Sequence, residues 1–333
     1  MAETPTIDVV FRQDLETLEA LNRKSVDLAF EVDDLDWARP LDRTKMWSPT
    51  DIAPLTHLPS FDLLSDPAKL RYNQLFAMGI CEQFTWFEQD LLVPVLKTLL
   101  RTQRNMPPLL REALHHFMEE EYRHSEMFWR MLEKSEPDWY QTRKFRLFNV
   151  SKTQDKLLHF LLDRPRFFLL WIWVVIFFEE RTVDYCRRYH KLNKKEPDLL
   201  DANYVEVHYF HFRDEARHYQ LDQHLLTWLY DTEPYWKRKM AASMFYRLMR
   251  SYTSPKRTSI RVMEVLGREF PEIQKEAVPK LTAELPMLRT SESFHRAAFS
   301  RAAVGKSMAL FAEYPELDSI WDLFMTENKD GPA

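Results

Sequence analysis

Glycine is nearly missing: the 333-residue chain has four, against roughly twenty-three at ordinary usage. Tight turns, bulges and left-handed caps lean on glycine, so a strand-rich fold with many such turns is excluded. Cysteine is scarce too. Cys81 and Cys186 cannot build a disulfide framework, which points to a reducing compartment. The opening "MAETPTIDVV" has no basic segment followed by an apolar core, so no secretory signal is expected and the expected location is the cytoplasm. An excess of one charge is also absent. The net charge is −5 with both signs interspersed, and the basic clusters at 143–146 and 187–195 read as solvated helix ends, so no nucleic-acid partner is expected. The apolar run "FFLLWIWVVIFF" (167–178) has twelve residues and ends in "EER". A membrane span needs about twenty, so this run reads as a helix buried on all sides.

What remains is helical. Long segments dense in Leu, Glu, Arg and Met favour helix, and the fold class is all-α. A helical segment covers 14–30, followed by an irregular, proline-bearing stretch. "SDP" (65–67) is a start signal, a capping Ser or Asp with Pro in the first turn. The helix it opens runs to about 101, with Pro94 able to kink it. "NMPP" (105–108) opens a second long helix to about 134, and a shorter one follows near 153–163. Pro165 opens a third to about 190, and "KKEPD" (194–198) introduces a fourth to about 231. Shorter helical segments follow, punctuated at Pro255, Pro271, Pro279, Pro286 and Pro315. With no linker rich in Gly or Ser, residues 1–333 read as a single domain. Its core, about 66–231, is a four-helix bundle with additional N- and C-terminal helices.

The four long helices come in two consecutive pairs, which invites a search for an internal duplication. "EEYRH" (120–124) and "DEARH" (214–218) share the form acid-Glu-x-Arg-His. Their Glu-x-x-His units are Glu121 with His124 and Glu215 with His218, 94 residues apart. Each pair follows a long helix able to supply one more carboxylate. That is the ligand plan of dimetal carboxylate bundles, with Glu-x-x-His on two helices and a single Glu on each of the others.

Helical faces sharpen the choice. The stripe Leu110, Leu114, Phe117, Glu121, His124, Phe128, Met131 is apolar except for the candidate ligands. Ionisable groups in a core stripe carry a large desolvation cost unless they are paired or bind a metal. On the fourth helix Arg213, Arg217, Gln220 and His224 read as the wet face. Tyr204, His208, His211, Glu215, His218 and Asp222 form a second polar stripe opposite it.

For the single carboxylates, Glu88 lies on an otherwise apolar stripe (Cys81, Phe84, Leu92, Val95), whereas Glu82 neighbours Gln89. Glu179 sits with Ile172, Val175, Val183 and Cys186, while Glu180 continues into Asp184 and Arg187, read as a wet face. Glu88 and Glu179 also precede the two Glu-x-x-His motifs by 33 and 36 residues. They are favoured, with Glu82 and Glu180 as rivals. The two cysteines read as small core residues. His208 and Asp222 are either supports of a metal site or hydrogen-bonded interior groups. Glu120 and Asp214 either accept the outer ring N–H of a ligand histidine on the facing helix or pair with a nearby arginine.

His211 lies one turn before Glu215 and adds a third imidazole to that face. The pattern His-x-x-Asp-Glu-x-Arg-His over 211–218 resembles the p-aminobenzoate N-oxygenase family of ferritin-like di-iron enzymes. The resemblance covers the bundle, about 66–231. It implies a ferritin-like fold, two iron ions (manganese being another candidate occupant) and O2 as co-substrate. The implied ligands are Glu88, Glu121, His124, Glu179, His211, Glu215 and His218, of which Glu88 and Glu179 match by helix position alone. It further implies oxidation of a small-molecule aryl amine to a hydroxylamine or nitro compound through a peroxo di-iron intermediate. An external electron donor, a reductase or ferredoxin, would reset the irons. The aromatic richness of the chain is compatible with a homodimer. The competing readings are another di-iron oxidase such as a fatty-acyl desaturase or hydroxylase, a ferroxidase or iron-handling protein, and a structural bundle with inner salt bridges.

Overall fold

The computed structural model describes residues 16–148, 150, 152–253, 257–327 and 329. Helix α1 (Leu18–Asp27) is capped by Thr17, whose side chain accepts from the Ala20 N–H. The first residues of the helix expected over 14–30, and the break expected at Pro255, lie outside the described residues.

Helix α2 (Asp66–Thr85) starts behind Ser65 with Pro67 in its first turn. Ser65 makes no side-chain cap, so the preset backbone of the proline is what opens this helix. The chain then passes without a break into a π-helical stretch, Trp86–Leu92, and on into α3 (Val93–Thr102). Just before Pro94 the helix widens into this turn, in which the Val93 N–H bonds the Glu88 carbonyl. Pro94 has no N–H to continue an ordinary ladder.

Two prolines, Pro107 and Pro108, open the 28-residue α4 (Pro108–Ser135), and α5 (Pro137–Tyr140) and α6 (Lys152–Leu162) connect it onward. A 3₁₀ turn at Pro165–Phe167 leads into α7 (Phe168–Lys195). Asp201 caps α8 (Ala202–Leu225) by accepting from the N–H groups of Asn203 and Tyr204, and α8 ends in a second π-helical stretch, Leu226–Tyr230. The C-terminal part adds α9 (Tyr235–Tyr252), α10 (Arg257–Glu269), α11 (Ala277–Glu284), α12 (Glu292–Phe299) and α13 (Arg301–Glu313). The fold is all-α. Among the described residues, extended pairing is confined to one isolated bridge between Met46 and Leu200.

Packing explains the apolar run. Helices α2 and α4 form one pair, α7 and α8 the other, and α4 meets α8 across the bundle. Helix α1 lies on α4 and α8, while α9 and α13 cover α7. Every residue from Phe168 to Phe177 is therefore buried, as its uninterrupted apolar character requires. No helix among the described residues is long and apolar enough to cross a membrane.

The same cover corrects one expectation. Glu180 and Asp184 are not on a wet face but buried. Glu180 accepts from the backbone N–H of Lys306 (2.8 Å) and Ser307 (2.6 Å) on α13. Asp184 is held by Arg181 at 3.1 Å and Arg188 at 2.8 Å.

Candidate metal centre

Two pairs of helices bring the expected residues together in the bundle interior. Glu88 comes from the first π-helical stretch, Glu121 and His124 from α4, Glu179 from α7, and His211, Glu215 and His218 from α8. All seven are buried. Two overlapping groups could each hold a metal ion: Glu88, His124, His211 and Glu215, and Glu121, His124, Glu215 and His218. Within each group, one ligand atom per residue can be chosen so that all lie within 4.8 Å of one another. Glu179 adjoins the second group, its Oε2 3.7 Å from His218 Nδ1.

The inward atoms crowd without bonding one another well. His211 Nε2 is 2.6 Å from Glu215 Oε1 and 3.1 Å from Glu88 Oε1. His218 Nδ1 is 3.0 Å from Glu121 Oε1, and His124 Nδ1 is 3.4 Å from Glu215 Oε1. Yet both Glu121 oxygens, His124 Nδ1, His211 Nε2, His218 Nδ1 and Glu215 Oε2 lack an aligned hydrogen-bond partner. Buried polar atoms are nearly always satisfied. A cluster of orphans converging on one point is what a cation site looks like without its cation's bonds drawn. The donor set, carboxylate and imidazole, fits such an ion.

The outward nitrogens are satisfied. His124 Nε2 donates to Asp214 Oδ2 at 3.1 Å, and His218 Nε2 donates to Glu120 Oε2 at 2.7 Å. Each acid holds the N–H on Nε2 and turns Nδ1 inward, toward the cluster. The alternative for Glu120 and Asp214, pairing with an arginine, also holds. Arg217 Nη2 donates to both, at 2.7 Å for Glu120, and Arg123 lies 4.0 Å from Glu120 and 3.8 Å from Asp214. Arg217 is thus not part of the wet face of α8; it is buried under α1 and α4. The arginine of the repeated acid-Glu-x-Arg-His motif was the missed signal, since it recurs at the same place in both copies.

His211 is supported differently. Its Nδ1 lies 3.8 Å from Cys186 Sγ, a weak partner, and the rings of Phe84 and Phe128 stand edge-on at 5.1 and 4.9 Å. Cys186, expected only as a core residue, is therefore the neighbour of this third imidazole. His208 stays outside both groups. Its Nδ1 donates to the Tyr204 carbonyl at 2.7 Å, its ring stacks on Tyr189 at 3.9 Å, and burial pushes its pKa down to about 3.

The rivals for the single carboxylates are engaged elsewhere. Glu82 accepts from Tyr140 Oη at 2.7 Å and from the backbone N–H groups of Arg146, Leu147 and Phe148. Glu180 is held by α13, as described above.

Electrostatics show the strain of assembling this cluster with protons alone. Burial pushes the Glu121 carboxyl up to about 7, and burial together with Glu215 raises Glu179 well above its ordinary value. Burial opposes charge on His211 and His218 too, but Glu215 and the other carboxylates outweigh it and raise both rings. Burial likewise opposes ionised Glu215, and His211 and His218 overcome it, holding Glu215 well below the usual range. Protons serve here as the cluster's counter-charge.

An all-helical bundle around a buried histidine–carboxylate cluster able to hold a metal defines a class of metal-binding helical bundles. The chain belongs to one family within it: the model described as p-aminobenzoate N-oxygenase AurF matches residues 12–314. No curated protein matches the chain.

Proposed function

We propose that the cluster binds two iron ions and that the protein is an O2-dependent N-oxygenase. The observation that carries this is a charge balance in two layers. The outer acids Glu120 and Asp214 face two guanidinium groups, Arg123 and Arg217, and are neutralised. The four inner carboxylates, Glu88, Glu121, Glu179 and Glu215, face only three imidazoles. With those rings neutral and lone pairs inward, two divalent cations balance the inner layer. Iron suits this mixed oxygen and nitrogen set, and manganese is the alternative occupant.

Iron would supply the redox chemistry toward O2. The chain's own contribution is positional. Glu120 and Asp214 hold the tautomers of His218 and His124, and Phe117, stacked on His218 at 3.9 Å, together with Phe84 and Phe128 keeps bulk water from the cluster. His211 raises the nitrogen count on the side of Glu88, which we read as tuning the centre toward attack by an amine nitrogen. A small aryl amine is the proposed substrate, a reductase or ferredoxin the electron donor, and the cytoplasm the setting, with Cys81 and Cys186 both free. The helices are read as one ferritin-like domain.

The test loads the protein with Fe(II) under nitrogen, counts metal per chain, and mixes with O2 in a stopped-flow spectrometer with and without aryl amines. Two irons per chain, a transient visible absorption that decays faster with an amine, and N-oxygenated product by mass spectrometry are the expected results. A transient indifferent to every amine would move the reading to another di-iron oxidase. No iron uptake would leave only a structural bundle.

A further inference from the structure

Helix α9 carries five cations, Lys237, Arg238, Lys239, Arg247 and Arg250, and no acid, in a chain whose net charge is −5. Two of them are neutralised: Lys237 lies 2.6 Å from Glu233 and Arg238 3.4 Å from Glu316. Lys239, Arg247 and Arg250 are exposed and make no ion pair among the described residues. The inner face of α9, with Ala241, Ala242, Phe245 and Met249, is spent on α7 and on the 3₁₀ stretch Pro315–Leu323. Its outer face is a stripe at helical spacing, Trp236, Met240, Ser243, Arg247 and Arg250, every one exposed. Trp236 is 64% exposed and Tyr235 beside it 50%. Trp, Tyr, Met and Arg are the side chains enriched at protein interfaces. The exposed apolar groups are confined to the start of the helix, too short a face to lie along a bilayer surface.

The other end of α9 reaches toward the cluster. Tyr252, its last residue, is half-buried and stands edge-on to Phe178 with ring centroids 4.7 Å apart, and Phe178 packs on Phe87 at 5.1 Å. Phe178 immediately precedes Glu179, and Phe87 immediately precedes Glu88. Two candidate ligands thus hang from the backbone that carries these rings. The phenylalanine before each single Glu, in "WFEQ" and "FFEE", is a repeated feature that the ligand plan does not use. Electron transfer slows more steeply across gaps than through packed atoms, and these rings fill the line from the Arg247–Arg250 end of α9 to the bundle interior.

Resting on the N-oxygenase reading above, which calls for electrons from outside, we propose that the outer face of α9 docks a small acidic electron-carrier protein. Acids of the carrier meet Lys239, Arg247 and Arg250, and an apolar spot on it meets Trp236 and Met240. Charge steers the encounter and sets its orientation. Two reduced carriers, each losing one electron, return the two ferric ions of the proposed centre to ferrous, with no bond formed or broken. Tyr252, Phe178 and Phe87 lie on the path inward.

The probes are two acidic carriers, a plant-type ferredoxin and a flavodoxin, titrated by calorimetry against the iron-loaded protein. At least one is expected to bind at low ionic strength. Its affinity should fall between about 0.01 M and about 0.15 M salt, where the screening length drops from about 30 Å to about 8 Å. Lys239→Glu, Arg247→Glu and Arg250→Glu together should raise Kd at least about tenfold. They should also slow reduction of the ferric protein by the carrier while leaving reduction by dithionite unchanged. Lys191→Glu, Lys194→Glu and Lys195→Glu, at the exposed end of α7, alter the net charge equally and should leave Kd where it was. Tyr252→Leu should slow transfer within the bound complex without changing Kd. Binding of neither carrier, equal Kd in wild type and the α9 variant, unchanged transfer in Tyr252→Leu, or capture instead by phosphatidylserine vesicles through the same three cations overturns the assignment. Dithionite separates the two readings. Chemically reduced protein that puts no oxygen on any aryl amine, while a carrier still docks on α9, sinks the N-oxygenase reading and spares the docking face. Amine oxidation after dithionite reduction, with no carrier bound, does the reverse.

Discussion

Replacing Arg217 by Met tests whether the outer layer of charge does what its geometry implies. The guanidinium is buried, donates to Glu120 at 2.7 Å, to Asp214, and through Nη1 to the Arg213 carbonyl at 2.8 Å. Met keeps much of the volume and removes every one of those donors. Glu120 and Asp214 would then be left with their histidine contacts and with Arg123, no closer than 3.8 Å. Removing one partner from a buried charge pair costs about 3–5 kcal/mol. Unfolding entropy of about 2.1 cal/mol/K per residue gives roughly 0.7 kcal/mol/K for 333 residues. Tm should therefore fall by roughly 4–7 °C. The assay is scanning calorimetry of the metal-free protein at pH 7, with Glu120→Gln as a second background. In that background the loss caused by Arg217→Met should shrink by at least about 1 kcal/mol, since one of the stranded acids is gone. A Tm within 1 °C of wild type, or equal losses in both backgrounds, would refute the layered charge balance.

Asp214→Asn should weaken divalent-metal binding by about 10–100-fold through its hold on His124; unchanged affinity in a chelator competition would count against the tautomer argument. Glu82→Gln and Glu88→Gln should separate cleanly. The first places an NH2 group against donors on Tyr140, Arg146, Leu147 and Phe148 and should cost about 2–3 kcal/mol with metal content intact, while the second should lower metal content with little loss of stability. The reverse pattern would restore Glu82 as the ligand. Glu121, pushed up to about 7 by burial, carries a proton that metal must displace. Metal affinity should therefore fall as pH drops below about 7, with proton release seen by titrating in buffers of different ionisation enthalpy. The same group binds more protons folded than unfolded, so its contribution to the stability of metal-free protein declines as pH rises from about 4.5 to 7. A denaturation midpoint that climbs over that range because of Glu121, judged against Glu121→Gln, would contradict the sign.

Much of this was legible because it is local. Pro108 and Pro165 mark helix starts by backbone chemistry alone, and the apolar stripe through Glu121 and His124 fixes which way α4 faces; the start of α8, expected at 194–198, falls instead at Ala202 behind the Asp201 cap, because α7 runs on to Lys195. The twin motif needed only helical spacing to pair two helices. What escaped reading depends on partners distant in sequence. Glu180 and Asp184 look solvated until α13 is laid over α7, more than a hundred residues later. Arg217 looks exposed until α1 and α4 close over it. The π-helical turn at Glu88 changes the register on which a face argument relies, and only the missing N–H of Pro94 hinted at it.

The bonds that orient the histidines cross over. The acid on α4, Glu120, holds the ring on α8, and the acid on α8, Asp214, holds the ring on α4. Arg123 and Arg217 likewise each reach both acids. Neither half of the bundle holds the outer nitrogen of its own Glu-x-x-His imidazole. A half-length ancestor with one helix pair would have had to meet a copy of itself about a twofold axis before any of its rings pointed correctly. Joining two such copies end to end would preserve each of these bonds. It would also release the halves from identity, so that one could acquire His211 and the other keep none.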